Sequence, residues 1–250
     1  MSSTSSWPTQ RRGAWADLIF TVLPTLKVGK AVMQEILETA ASGAVWVELG
    51  TIGSAAAREH AGLAESAGLG FVDAPVINGG QQGAEAGTLK ILAGGDAATI
   101  ARVDPALRAF STETLYRGPA GSAQTMKLIN NMLLAAISSA TAEALALAER
   151  SGIGAKRAFD ILRLSSTRSF ALDWFFPAAV KGDFSGGAKI DILVKDMQLA
   201  EEEAALHEAK VPFVDVTFEL FRQCQERGWG TSDMSIVLKL LADAGTPRQA

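Results

Sequence analysis

The chain of 250 residues has one cysteine, Cys224, and two histidines, His60 and His207. A lone thiol forms no internal disulfide, which points to a reducing compartment. Two histidines far apart in sequence give no His/Cys zinc set beside it, and no metal is expected. Charge of one sign is not in excess either. Twenty-three Lys plus Arg against 27 Asp plus Glu leave a net charge of −4, no field for nucleic acid or an anionic membrane. Long apolar runs are missing. The best candidate, Leu128 to Ala142, holds Asn130 and Asn131 within 15 uncharged residues, short of the roughly 20 that cross a bilayer. The first 16 residues carry no apolar h-region of an export signal, so the cytoplasm is the expected location. What is present is the composition of a globular protein, 48% hydrophobic and 20% charged, enough for one large domain or two small ones.

Residues 1–16 read as a polar tail in which Trp7 and Trp15 have no evident role. From Asp17 the pattern changes. Leu18 to Leu23 is a short apolar, partly β-branched run stopped by Pro24, the signature of a strand buried on both faces of a parallel sheet. Helix is expected from Val28 to Thr39 and strand from Val45 to Leu49. A helix then runs to Ala67 behind Ser54 as N-cap, followed by strand from Phe71 to Val76. A Gly-rich loop, Gly79 to Gly87, leads to strand Leu89–Ala93, helix Ala97–Ala109 and a strand near Thr114 to Arg117. Strands alternating with helices at this spacing predict βαβ units and a parallel sheet. Its ligands would sit at the carboxyl ends of the strands.

After Gly121 the pattern is helical throughout. Met126, Ile129, Leu133, Ile137, Ala140, Ala144 and Leu147 recur every three or four residues, one stripe on a long helix capped by Ser122 and ended by Ser151-Gly152. Such a stripe serves core packing more often than docking. Helical patterns follow at Ala155–Leu164, Ser169–Val180, Ile190–His207, Pro212–Arg227 and Ser232–Ala242. The expected fold is therefore α/β followed by all-α: a partial Rossmann-type parallel sheet at 17–117, joined by the long helix to a helical C-terminal domain at 118–250.

Few residues offer chemistry. Lys127 and Asn131 are four apart and share a helix face. The positive helix end and partial burial both favour a neutral amine, and such a lysine suits carbonyl/alcohol proton transfer. Periodicity alone favours the plainer reading of a solvated lysine and a surface asparagine. Asn78-Gly79-Gly80 after a strand could bring backbone N–H groups to an anion or be an ordinary turn. Lys195-Asp196 reads most simply as a surface charge pair, and Thr51 as a turn hydroxyl.

Taken together these segments are more specific. Asp73-Ala74-Pro75-Val76, Gly79-Gly80, Gly83-Ala84, Gly87-Thr88-Leu89 and Gly94-Gly95 resemble the substrate-binding segment of the β-hydroxyacid dehydrogenases, the family of 3-hydroxyisobutyrate dehydrogenase and tartronate semialdehyde reductase. Gly118, Gly121, Lys127, Asn130 and Asn131 are similar to its catalytic helix. Lys195-Asp196 with Leu199-Ala200 resembles its late cofactor-facing helix, and Leu23-Pro24 and Gly50-Thr51-Ile52 its middle cofactor loops. The resemblance implies an NAD(P)-dependent oxidoreductase moving hydride between nicotinamide and a small hydroxyacid or semialdehyde, NAD against NADP left open. It implies Lys127 as general acid/base and Asn131 as substrate-orienting amide. Gly79 and Gly80, with Asn78, would bind the substrate carboxylate. Leu23, Pro24, Thr51 and Lys195 would meet the cofactor, and a homo-oligomer is expected.

The sequence departs from the family in three places. Two residues, Ile77 and Asn78, stand where the family has one serine. An asparagine after the Leu-Pro loop is unmatched, with Val28 near its place. No Gly-x-Gly-x-x-Gly pyrophosphate loop is present: roughly 60 residues of the first βαβαβ half give way to the tail. An N-terminally truncated gene, a frameshift or a misplaced start is the expected origin, with weakened dinucleotide affinity and an open edge on the strand at Leu18. The alternative is a truncated, non-catalytic paralogue acting as an oligomerisation partner.

Overall fold

The computed structural model describes residues 16–23, 26–77 and 80–243. The polar tail with Trp7 and Trp15, Pro24, Asn78 and Gly79 lie outside the described residues. The chain divides into two compact units, residues 1–127 and 128–250.

The first unit is built on a six-stranded sheet. Its strands are β1 (Leu18–Thr21), β2 (Val45–Glu48), β3 (Gly70–Asp73), β4 (Val76–Ile77), β5 (Leu89–Gly95) and β6 (Ser111–Gly118). Between them run α1 (Leu26–Thr39), α2 (Ser54–Ser66), α3 (Gly80–Glu85) and α4 (Ala97–Leu107). The order is β1-β2-β3-β5-β4, with β6 also on β5. β1, β2 and β3 are mutually parallel, as is β5 with β6, but β5 runs antiparallel to both β3 and β4. The sheet is therefore mixed, not wholly parallel.

The expected strand from Phe71 to Val76 is interrupted. β3 pairs with the end of β5 through Asp73↔Gly94, and β4 with its start through Val76↔Ile91. Ala74 donates its N–H to Glu48 O at 2.7 Å, and Pro75 has no N–H to give, so the ladder breaks there. The Gly-rich stretch after β4 is not all loop: Gly80–Glu85 forms α3. β1 is only partly buried, with Phe20 exposed, as is Val22 just after it. Among the described residues it lies at the sheet edge, so burial on both faces does not hold.

Alternation places the core. Val45 and Val47 join Val72, Ile91 and, from α4, Ile100, Val103 and Leu107 on one sheet face. Trp46 and Phe71 meet Ile36 of α1 and Ala57 and Ala64 of α2 on the other. Trp46 is sealed further by His60, whose ring stacks on it at 4.8 Å.

α5 (Ser122–Arg150) begins in the first unit and continues into the second. The second unit also holds α6 (Ala155–Leu162), α7 (Phe170–Ala179), α8 (Ile190–Leu206), α9 (Pro212–Glu226), a 3-10 turn at Met234–Ile236 and α10 (Val237–Asp243). Ala135, Ala142, Leu145 and Ala146 of α5 pack with Phe176, Met197, Phe221 and Leu240. The three-and-four stripe faces the other way. Met126, Ile129, Leu133, Ala140, Ala144 and Leu147 are exposed and Ile137 is half-buried, so the reading of that stripe as core is corrected. The small alanines occupy the packed face because they let neighbouring helices approach closely. Over its 29 residues α5 is long and apolar enough to cross a bilayer by length and composition alone, beyond what the 15-residue run indicates.

Cys224 on α9 is wholly buried, and burial pushes its thiol up to about 12. The thiolate population then falls by about three orders of magnitude relative to an ordinary thiol. Iodoacetamide at pH 8 is expected to leave the folded chain unlabelled over the time in which the urea-unfolded chain labels completely. Equal rates in the two states would contradict this burial.

Candidate active site

The first unit assembles its polar residues where β2 and β3 end. Asp73, the last residue of β3, is fully buried. Its Oδ1 accepts the N–H of Gly121 at 2.9 Å and its Oδ2 the N–H of Gln124 at 3.2 Å. These amides open α5, where the first four N–H groups have no intrahelical acceptor. Ser122 does not act as the expected N-cap: it is the first helical residue, and its hydroxyl donates to Pro119 O. The cap comes instead from a strand 48 residues earlier in the chain. Burial pushes the Asp73 carboxyl up to about 6, against the two amides and the Arg58 charge, which pull it down. From its ordinary 3.8 to about 6 the folded chain holds a proton that the unfolded chain releases. The contribution of this group to stability therefore falls as pH rises through that window.

One glycine makes room for this carboxylate, and a second lets the backbone turn closely past α2 into α5. A Cβ on Gly94 would overlap Oδ1 of Asp73 and sit 2.8 Å from Oδ2. Gly121 has a φ of +87°, and a Cβ there would lie 2.8 Å from Ser54 O.

Gln124, also wholly buried, ties the loop after β2 to the same helix turn. Its Oε1 accepts from the N–H groups of Ile52 at 3.0 Å and Gly53 at 3.3 Å, and its Nε2 donates to Gly50 O at 3.0 Å. Glu48 holds the other end of that loop, accepting the Gly50 N–H at 2.7 Å and the Thr21 hydroxyl at 2.7 Å. Thr21 in turn accepts the indole N–H of Trp46 at 2.8 Å. Half-buried Thr51 sits in this braced loop, and half-buried Leu23 follows β1. With Gln124 seated against Gly53, α2 starts from Gly53 as N-cap rather than from Ser54, which is its first helical residue.

Lys127 lies three residues beyond Gln124. Its Nζ donates to Val76 O at 2.8 Å, and the side chain is part-buried. Val76 belongs to β4, and Gly80 begins α3 four residues later. The lysine is therefore drawn back to the strand end that leads into the Asn78–Gly80 segment and is not extended into solvent.

In the second unit, Asn131 is buried rather than on the helix surface. Its Nδ2 donates to Asp196 Oδ2 of α8 at 2.7 Å, and its Oδ1 accepts from Asn130 at 3.0 Å. The Lys195 ammonium lies 3.0 Å from Asp196 Oδ1. Asp196 is only 2% exposed, so Lys195-Asp196 is not the solvated pair its sequence suggests. A cavity of about 470 Å³ opens between α8 and α9, lined by Glu201, Ala204, Lys210, Val211 and Asp215, and none of the candidate residues lines it. Among the described residues no group of three His, Cys, Asp or Glu is placed to hold a metal ion.

Asp73, Gln124 and Glu48 have no individual role expected from the sequence, although Asp73 opens the stretch that resembles the family's substrate-binding segment. An acid ending an apolar strand was the available signal for Asp73. Gln124 carried none, because its side-chain partners are more than 70 residues away.

Comparison with known proteins gives a consistent result over both units. Residues 6–118 match the NAD-binding domain of 6-phosphogluconate dehydrogenase, and residues 121–241 the NAD-binding domain of NADP-dependent 3-hydroxyisobutyrate dehydrogenase. The chain is 34% identical to the NAD-dependent L-serine dehydrogenase of Pseudomonas aeruginosa over 90% of its own length and 78% of that protein's. It is 32% identical to the 2-(hydroxymethyl)glutarate dehydrogenase of Eubacterium barkeri over 92% of its length and 78% of that protein's. Among solved structures, a Mycobacterium tuberculosis 3-hydroxyisobutyrate dehydrogenase with L-serine aligns with a TM-score of 0.82 and 31% identity, over 91% of this chain and 80% of that one.

Proposed function

Since the chain belongs to the β-hydroxyacid dehydrogenases, the NAD(P)-dependent family of 3-hydroxyisobutyrate dehydrogenase, we propose that it oxidises a small hydroxyacid to its semialdehyde with Lys127 as general acid/base. The enzyme is an NAD(P)-dependent hydroxyacid dehydrogenase, with NAD or NADP as cofactor. The similar proteins are named for serine, 2-(hydroxymethyl)glutarate and 3-hydroxyisobutyrate. All three acids carry a primary alcohol and a carboxylate, and that is the substrate class we assign.

The observation that carries the mechanism is the 2.8 Å bond from Lys127 Nζ to Val76 O. It anchors the amine at the strand leading into Asn78–Gly80, the segment we assign to the substrate carboxylate through the backbone N–H groups of Gly79 and Gly80 and the Asn78 side chain. In the oxidative direction Lys127 Nζ takes the proton from the substrate hydroxyl as its carbon becomes a carbonyl. In reduction it returns the proton to the forming alkoxide. Asn131, one turn further along α5, orients the substrate oxygen. The amide nitrogen carries two hydrogens, so its bond to Asp196 fixes the plane of the group without exhausting its donors.

Leu23 and Thr51 follow the carboxyl ends of adjacent parallel strands, where open α/β sheets take their ligands. An apolar side chain and a hydroxyl there fit a nicotinamide ring and its polar edge. Leu23, Pro24, Thr51 and Lys195 would hold the dinucleotide, which when bound supplies the hydride acceptor or donor. In this reading 17–117 serves the cofactor and the substrate acid, and 118–250 carries the catalytic helix. We place the enzyme in the cytoplasm as a homo-oligomer, a state supported by the outward apolar stripe of α5.

Fluorescence titration with NADH and NADPH, followed by turnover assays on L-serine and 3-hydroxyisobutyrate, tests the reading. Saturable binding of one nucleotide and oxidation of at least one acid are expected. No binding at millimolar nucleotide would refute it.

A further inference from the structure

We propose that Asp73 is the residue that positions Lys127: its solvent-sealed carboxylate caps α5 from the end of β3 and fixes the helix turn that leads to the lysine. The proposal rests on the reading of Lys127 as the acid/base and adds a residue that acts through it.

The residue before α5 is Gly121, which has no side chain to cap with, and the Ser122 hydroxyl is turned to Pro119. Asp73 supplies two acceptors, one oxygen each to Gly121 and Gln124. Sealing a carboxylate from water is costly, and packing at the end of a strand does not call for an acid. The two amides are what this acid serves. Charged groups face it from two neighbouring elements. Arg58 of α2 attracts it, and Glu48 stands beside it in register on β2. β5 presents Gly94, and the first turn of α5 has no acidic residue.

The clasp reaches both halves of the proposed chemistry. Gln124, whose amide Asp73 holds, lies three residues before Lys127 and carries the three bonds to Gly50, Ile52 and Gly53. Displacing the first turn of α5 therefore moves the lysine along its bond to Val76 and loosens the Thr51 loop together. Asp73 touches neither the substrate nor the cofactor in this scheme.

Hydrogen exchange read by mass spectrometry on the full chain, with Asp73→Asn as the variant, tests this. An asparagine carboxamide keeps one acceptor oxygen and turns an N–H₂ toward the second amide, while removing the buried charge. Exchange in peptides covering 119–128 and 49–54 is expected to accelerate about tenfold or more, with peptides from α4 and β6 unchanged. Where turnover is measured, kcat should fall about 10- to 100-fold, with the KM for the hydroxyacid within about threefold. Uniform acceleration across the first unit, or none at 119–128, overturns the proposal. Should the variant not fold, the unmodified chain decides: the Gly121 and Gln124 amides should be strongly protected although they begin a helix, and exchange at intrinsic rates would overturn it. A chain without any turnover defeats the dehydrogenase reading but leaves the exchange result to judge the clasp.

Discussion

Replacing Lys127 with alanine is expected to lower kcat by about three orders of magnitude, within the 10²–10⁴ that a positioned acid/base contributes. Proton transfer occurs only in the transition state, so kcat and kcat/KM should fall together and nucleotide binding should stay intact. The fold should survive. The side chain is part-buried, and its bond to a strand carbonyl makes a net contribution of about 1 kcal/mol. Initial rates and near-UV circular dichroism on the same preparation check both halves of this expectation. A drop below about fivefold would reassign the lysine, since that lies far under the acid/base range.

The second large effect is on stability. Gly94→Ala places a methyl group against a carboxylate that cannot yield, because both Asp73 oxygens are held by amides at the start of α5, those of Gly121 and Gln124. Overpacking of this kind costs about 1–3 kcal/mol. If the carboxylate is driven off, the lost hydrogen bonds to a charged group add about 1.5–3 kcal/mol. Urea unfolding should show a midpoint shift corresponding to about 3 kcal/mol or more. In an Asp73→Ala background the same glycine substitution should cost much less, since the atoms it would strike are gone. Additive effects in that double-mutant cycle would show that the clash lies elsewhere.

Much of this architecture was legible in the sequence, for identifiable reasons. Apolar runs with β-branched residues mark β2 and β5, and the three-and-four spacing marks α5 from Ser122 to Arg150. Direction was not legible. A buried strand has the same pattern whichever way it runs, so the antiparallel placement of β5 against β3 carried no signal. The inward face of α5 was misread because the helix is apolar on two sides. Large residues, Ile129 and Leu133, face outward and small ones, Ala135 and Ala142, pack inward. Lys127 and Asn131 stand out as candidates through family resemblance, because their spacing alone fits a solvated lysine and a surface asparagine equally well. What holds them could not. The partners of Asp73 are 48 and 51 residues away, and Asp196 meets Asn131 across 65. Such pairings are tertiary and leave no local periodicity.

Surface connections usually absorb inserted residues, because few of their backbone groups are committed. The segment from Gly50 to Gly53 is different: three of its main-chain atoms are spoken for by one glutamine and a fourth by Glu48. Adding or deleting a residue there would leave buried amides unpaired at the head of α2. Remodelling this rim for a different nucleotide or acid must therefore proceed by exchanging side chains at fixed length.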